Sequence, residues 1–340
     1  MLLLIPFCIS GLYHAYNDNK KTIFLFCSFF VYLSFITIIY FCAGSIDIRG
    51  INHLVFYAVT FFLYFFFIYA ICYEVGASFF KKVLSVAIII TVFIGFLEIY
   101  VFFSRGWTAY ANFMNHDSNV GIFAGIPRMR STFNEPSHLA LFMGGVAPIL
   151  LDKASLLFKI LFFVGFILTF SSSMVIGIVL AGIVIFIINI TRKKIKKSLI
   201  LALLCLGILL FLSPKELWEK VINISTRDQV RYNAFVNAVN YLIQNPFRFV
   251  TGSGATSYYQ LAETGLFNWY LQLLMEVGIE GFLIFAMFLF HVAHFSKMAI
   301  LYKFWLLAVL FQFIGMNHYY IPGLWILLAW INFNRKHKFL

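Results

Sequence analysis

Acidic side chains are scarce in this sequence: 13 aspartates and glutamates stand against 25 lysines and arginines in 340 residues, and charged residues make up only 11% of the chain. So small a charged fraction excludes an ordinary soluble domain, which carries about a quarter charged residues to cover its surface. Cysteine is sparse too. Cys8, Cys27, Cys42, Cys72 and Cys205 all lie in apolar runs, which excludes both a disulfide framework and a thiolate metal cluster. No P-loop or dinucleotide fingerprint is completed anywhere, and Thr251-Gly252-Ser253-Gly254 reads as a tight turn returning the chain to the membrane. No basic stretch precedes the first apolar residues, so the amino terminus does not read as a cleaved signal peptide.

Apolar residues fill the space these absences leave. The chain is 62% hydrophobic and 20% aromatic, and several runs approach or exceed the ~20 residues a helix needs to cross a bilayer core. They lie near 1–16, 22–44, 53–73, 83–103, 138–151, 154–170, 174–190, 198–213, 267–294, 304–319 and 321–333. The reading is an all-α polytopic membrane protein of about eleven spans, one integral membrane domain over 1–340. If every run spans, 16 of the basic residues fall on one side and 9 on the other. The positive-inside tendency then sets the carboxyl terminus in the cytoplasm and the amino terminus outside. It also accounts for much of the +12 net charge, so nucleic acid is not expected as a partner.

This topology leaves two sizeable external loops, near 104–137 and 213–266, and both carry arginine where the tendency predicts depletion. The second is expected to be partly helical. Thr226 and Gln229 fit a capping box, Val230, Ala234, Ala238 and Leu242 recur at four-residue spacing, and Asn245-Pro246 is the stop. Arg227 and Arg231 share one face of that helix. Two roles fit them, a solvated face or an anion site in which the helix amino terminus and the guanidinium act together. Farther on, Asn268 and Trp269 fall at an interface. Glu276 and Glu280 lie at membrane depth, either as a polar wall of a cavity or as a hydrogen-bonded brace between helices.

The densest polar cluster is Arg128 to Ala140, R-M-R-S-T-F-N-E-P-S-H-L-A. Pro136 suits the first position of a helix, and Asn134 or Glu135 its cap. Glu135 and His138 form a candidate acid/base pair. Arg128 and Arg130 present planar forks suited to phosphate. The blander reading of the same residues is a capped helix start with interface charges.

R-S-T-F-N-E-P-S-H-L-A resembles the signature of bacterial O-antigen and capsule repeat-unit polymerases, relatives of the O-antigen ligases. The resemblance continues in order through Ser171-Ser172-Ser173, the stretch from Arg227 to Gly254, and Asn268 to Gly281, covering roughly 125–285. It implies a bacterial inner-membrane glycosyltransferase for lipopolysaccharide or capsule that transfers a growing glycan from undecaprenyl diphosphate onto the next lipid-linked unit at the periplasmic face. On this reading Glu135, His138, Arg130 and Arg227 are catalytic, and Arg128, Arg231, Asn268 and Glu276 bind substrate. No metal and no cofactor is expected. The substrate is an undecaprenyl-diphosphate-linked oligosaccharide, and a chain-length regulator and a flippase in the same membrane are the implied partners. The ligases carry a histidine just before the asparagine of the last stretch; here that position is Phe267, which favours polymerase over ligase. A transporter or flippase of the same lipid-linked sugar is the alternative from another class. Such folds often carry internal repeats, and none is found in this sequence.

Overall fold

A computed structural model describes residues 5–112, 122–123, 125–152, 154–191, 226–260, 266, 268–293, 298–316 and 321–337. Within them the chain is almost entirely helical: α1 (Ile5–Asp18), α2 (Lys20–Cys42), α3 (Ile48–Phe61), α4 (Ala77–Ala111), α5 (Pro136–Leu150), α6 (Leu156–Leu168), α7 (Ser172–Thr191), α8 (Thr226–Gln244), α9 (Pro246–Thr251), α10 (Trp269–Ala293), α11 (Ile300–Gln312) and α12 (Gly323–His337). Two short strands, β1 (Ile122–Phe123) and β2 (Ile126–Pro127), pair antiparallel just ahead of the polar cluster.

The protein is a multi-pass membrane protein. Among the described residues, three helical stretches are long and apolar enough to cross a bilayer, Lys20–Cys42, Ile48–Ala111 and Trp269–Ala293. A fourth crossing follows if α6 and α7 as far as Ile188, bent by 118° across 169–171, count as one broken span. α5 and α11 are shorter apolar helices. At ~1.5 Å per residue, the 23 residues of α2 cover about 35 Å, enough for a bilayer core. The Ile48–Ala111 stretch contains π-helical turns at Phe62–Phe67 and Ile71–Gly76 and leaves the helical backbone at Gly76 (φ +106°) and Gly106 (φ +80°). Large apolar side chains such as Phe24, Val31, Phe93, Leu157 and Phe290 stand exposed on the outside of the bundle, as lipid-facing residues do. The expected run at 198–213 lies outside the described residues.

α2 and α10 pack antiparallel, with Phe26 against Phe288 and Phe29 against Phe285 at ring-centroid distances of 5.4 and 5.1 Å. At one end of the bundle, Asn19 bridges His291 and Asn332, and Lys81 lies over the Trp330 ring. The loops at 44–50, 126–137 and 252–260 connect the helices at the opposite end. Elsewhere the backbones approach closely. A Cβ on Gly145 of α5 would lie 2.1 Å from the Gly323 carbonyl oxygen of α12, the small-residue contact that membrane helices use to gain dispersion where lipid removes the hydrophobic drive.

α10 is broken in mid-course. Gly278 has φ +62° and ψ −172°, so the helix loses its hydrogen-bond register there. The Met275 and Glu276 carbonyls, deprived of helical partners, instead accept from Ser253 N–H and Gly254 N–H, each at 2.9 Å. The glycine turn at 252–254 is therefore stitched into the break of α10 and fixes how the loop at 252–260 meets the bundle.

Candidate functional site

The 128–138 segment is held from beneath by a carboxylate that no local pattern singles out. Glu98, within α4 and fully buried, accepts from Arg130 N–H at 2.8 Å, Ser131 N–H at 2.9 Å and Arg130 Nε at 2.6 Å. The Arg130 guanidinium also donates Nη2 to the Tyr110 carbonyl at 2.8 Å and lies 4.7 Å from the centre of the Tyr110 ring. Ser131, at φ +58°, donates its hydroxyl to the Thr91 carbonyl. Arg130 has no exposed surface. Where the sequence reads a fork suited to phosphate, the guanidinium is paired with Glu98 inside the protein, where an unpaired charge would be costly.

Arg128 also turns inward in part. Its Nε donates to the Thr169 carbonyl at 3.2 Å, and Tyr110 Oη donates to the Arg128 carbonyl at 2.7 Å. Thr169 sits at the sharp bend between α6 and α7, and Met129 N–H donates to the Leu168 carbonyl there at 2.8 Å. The polar segment is thereby tied to the bend on one side and to α4 on the other.

From this anchored base the chain enters α5 with Glu135 in extended backbone at the cap position and Pro136 as first helical residue. Pro136 lacks the N–H that would go unpaired there. Glu135 makes no side-chain cap; its Oε2 instead accepts from Ser137 Oγ at 3.0 Å and lies 3.9 Å from His138 Nε2. The carboxylate side chain is 56% exposed and the imidazole 5%. The pair thus joins an open acid to a buried ring, an arrangement suited to accepting a proton at the surface while the ring stays oriented.

Gln312 at the end of α11 donates Nε2 to the Ser137 carbonyl at 3.0 Å. Just beyond it, Gly315 packs against Ser173 of α7, and Trp269 N–H donates to the Phe313 and Met316 carbonyls at 3.1 Å. Asn268 caps α10 by accepting from Leu271 N–H at 3.0 Å. A cavity of about 270 Å³ opens here, lined by Asn268, Leu271, Gly315, Tyr232 and Phe235 among others. The end of α11 thus links the start of α5, through Ser137, to the serine-rich start of α7 and to the start of α10, and Asn268 shares the cavity with Tyr232 of α8. The backbones of Arg227 and Arg231 lie in the first turns of α8; their side chains, and Phe267, are outside the described residues.

Glu276 stands apart from this group. It is fully buried, and its oxygens accept from Tyr57 Oη at 2.8 Å, Thr256 N–H at 3.0 Å and Gln272 Nε2 at 3.2 Å. These hydrogen bonds join α3, α10 and the 252–260 loop, the geometry of the brace that the sequence left open as one of its two roles. Glu280 accepts from Tyr32 Oη at 2.9 Å and braces α2 in the same way.

Sequence reasoning missed Glu98, Tyr57 and Gln312. A lone carboxylate in the apolar run 83–103 was the one signal available for Glu98, since an unpaired charge does not persist at such a position. Among the described residues no three His, Cys, Asp or Glu side chains are placed to hold a metal ion.

Residues 157–286, from the start of α6 to within α10, match the family described as O-antigen ligase. No curated protein and no solved structure matches the chain.

Proposed function

We propose that this chain, which matches the O-antigen ligase family over residues 157–286, belongs with the O-antigen polymerases and ligases and polymerises undecaprenyl-diphosphate-linked oligosaccharide repeat units at the outer face of the bacterial cytoplasmic membrane. The observation that carries the reading is the open Glu135 carboxylate beside buried His138, tied through Ser137 and Gln312 to the bundle end where Asn268 and Tyr232 line a cavity.

The reaction joins an acceptor hydroxyl oxygen to the anomeric carbon of the donor glycan. As that bond forms, the anomeric carbon–oxygen bond to the diphosphate breaks and the diphosphate leaves with the electron pair. Glu135 takes the hydroxyl proton, its Oε2 held by the Ser137 hydroxyl at 3.0 Å with the His138 ring beside it at 3.9 Å. Negative charge grows on the leaving diphosphate, so cations set beside it stabilise the transition state more than the substrate. Arg227 and Arg231, at the amino-terminal end of α8 where helix N–H groups also favour an anion, take that role. Arg130, sealed against Glu98, acts one step back as a positioning residue for the loop that carries Glu135.

A ligase is the second reading, favoured by the description of the matched family. Against it stand Phe267 at the position where ligases carry histidine and His138 after Glu-Pro-Ser, the polymerase-like pattern. Surface polysaccharide from a strain lacking the gene separates the two. A polymerase deficiency leaves single repeats on the core or abolishes capsule, whereas a ligase deficiency leaves bare core with polymer stranded on its carrier lipid. A normal long-chain ladder contradicts both.

A further inference from the structure

A second cavity lies at the loop end of the bundle, between the turn after α2 and the turn after the glycine stitch. It has a volume of about 390 Å³ and is lined by Ser45, Asp47, Arg49, Thr256, Ser257 and Tyr259 among others. That size falls at the lower end of small-ligand sites, roughly 300–1,000 Å³.

Its walls are fixed by the fold. Gly50 packs against the Ala255 carbonyl, Ala255 N–H donates to Thr37 Oγ1 at 3.0 Å, and Thr256 N–H donates to Glu276. Within this frame Ser257 is only 6% exposed, yet its hydroxyl has no hydrogen-bond partner among the described residues. A buried hydroxyl left this way is poised for a ligand, because an unmade hydrogen bond costs the full desolvation of the group.

The charge pattern selects among ligands. Arg49 donates its backbone N–H to Asp47 Oδ1 at 2.9 Å and its Nε to Asp47 Oδ2 at 2.6 Å. The two formal charges cancel, which disfavours a phosphate, while the outer guanidinium nitrogens and the carboxylate lone pairs stay available to hydroxyls that both donate and accept. Tyr259, its ring tilted by 32° against Tyr258 at 4.4 Å between centroids, keeps part of its ring exposed and offers an apolar face of the kind that covers the C–H side of a sugar ring. Tyr258 itself is buried in one cluster with Ala234, Leu242 and Leu271, and Leu271 also lines the cavity beside Asn268. The two cavities thus flank one packed layer.

We propose that the Asp47–Arg49–Ser257–Tyr259 cavity is a glycan-binding subsite, taking a neutral polyhydroxylated segment of a lipid-linked unit while the bond is exchanged at the Glu135 end. The proposal rests on the polymerisation reading for its ligand.

The test uses the full chain in lipid nanodiscs. The probes are the free oligosaccharide released by mild acid from the strain's own lipid-linked unit and, separately, inorganic pyrophosphate. Arg49→Ala and Tyr259→Ala are the variants, both at partly exposed side chains, with Arg49→Lys as the conservative partner; melting curves confirm that each is folded. The subsite predicts saturable oligosaccharide binding to the native chain, weakened about tenfold by each alanine variant with pyrophosphate binding unchanged. No saturable oligosaccharide binding, affinity unmoved by either variant, or loss of pyrophosphate binding in Arg49→Ala each overturns it. Failure of the polymerisation reading shows separately: the native chain then makes no lengthened product from intact lipid-linked units, whatever the free oligosaccharide does.

Discussion

Glu98 and Arg130 form an ion pair at 2.6 Å in which neither side chain has any exposed surface. The same carboxylate also accepts the backbone N–H groups of Arg130 and Ser131. One buried acid therefore sets the path of the polar segment leading to Glu135. Removing one member of such a pair strands the other charge and costs about 3–5 kcal/mol, whereas replacing both with apolar groups is often near neutral. Glu98→Gln and Arg130→Met are each expected to lower the melting temperature of the protein in nanodiscs sharply, and the double variant to recover part of the loss. Additive losses would show that the pair is not what holds the segment.

The same geometry separates two roles for Arg130. A direct phosphate ligand would change the affinity for donor and leave the fold intact. A positioning residue changes turnover and stability together and responds to Glu98. Arg130→Lys is expected to lose turnover along with melting temperature, while apparent affinity for the lipid-linked donor stays within about twofold of native, well inside the 1.4 kcal/mol that a tenfold change represents. A large affinity change at native stability would restore the direct role.

Glu135 is exposed and His138 is buried, so their substitutions are expected to differ. Glu135→Gln removes the proton acceptor with little change in shape and is expected to slow elongation by about 10²–10⁴-fold, the usual worth of a general base, with an unchanged melting curve. His138→Ala is expected to lower both rate and stability. Single-turnover elongation at saturating donor reads both; full activity in Glu135→Gln would remove it from the chemistry.

Gly278 is required by conformation and by space together. Its φ is +62°, and a Cβ there would lie 2.2 Å from the Val250 carbonyl oxygen. Gly278→Ala is expected to destabilise by at least the roughly 1–3 kcal/mol of a strained backbone, because it disturbs the Ser253 and Gly254 hydrogen bonds as well. Thermal melting measures this, and a native-like midpoint would mean that the glycine stitch is not a fixed joint.

The span elements were the most legible part of the chain. The runs at 22–44 and 267–294 became α2 and α10, because a helix apolar all round announces itself by length. The four-residue spacing of Ala234, Ala238 and Leu242 fell on one buried face of α8, and Asn245-Pro246 separated α8 from α9. Long-range pairing was not legible. Arg128 and Arg130 look alike in sequence, and only the presence of Glu98 across the packed interface decides which guanidinium is sealed. The break at Gly278 was hidden for a related reason: glycine is common within membrane helices, and the N–H groups that donate to the freed carbonyls come from a turn more than twenty residues earlier. The runs at 154–170 and 174–190 were visible, but the 118° bend between them depends on contacts made by residues 128 and 129.

Asp47 gives the subsite a pH signature. Its hydrogen bond from the Arg49 side chain holds the carboxyl below its usual value. A carboxylate with a lowered folded value contributes fully above its unfolded value and is lost only as pH falls through the lowered one. Oligosaccharide affinity is therefore expected to be flat from neutrality down to about pH 5, above the ordinary aspartate value of about 3.9. Affinity that declines between pH 7 and about pH 5 would show that Asp47 does not control the cavity.

The central claim is chain growth, and it is tested most directly by supplying the purified protein in nanodiscs with the strain's own lipid-linked repeat unit as sole substrate. The account predicts a ladder of lengthening lipid-linked products with release of the free diphosphate carrier, formed at least about 10²-fold more slowly in Glu135→Gln. Products that never exceed one repeat, together with transfer of preformed polymer onto added lipid A-core, would contradict it.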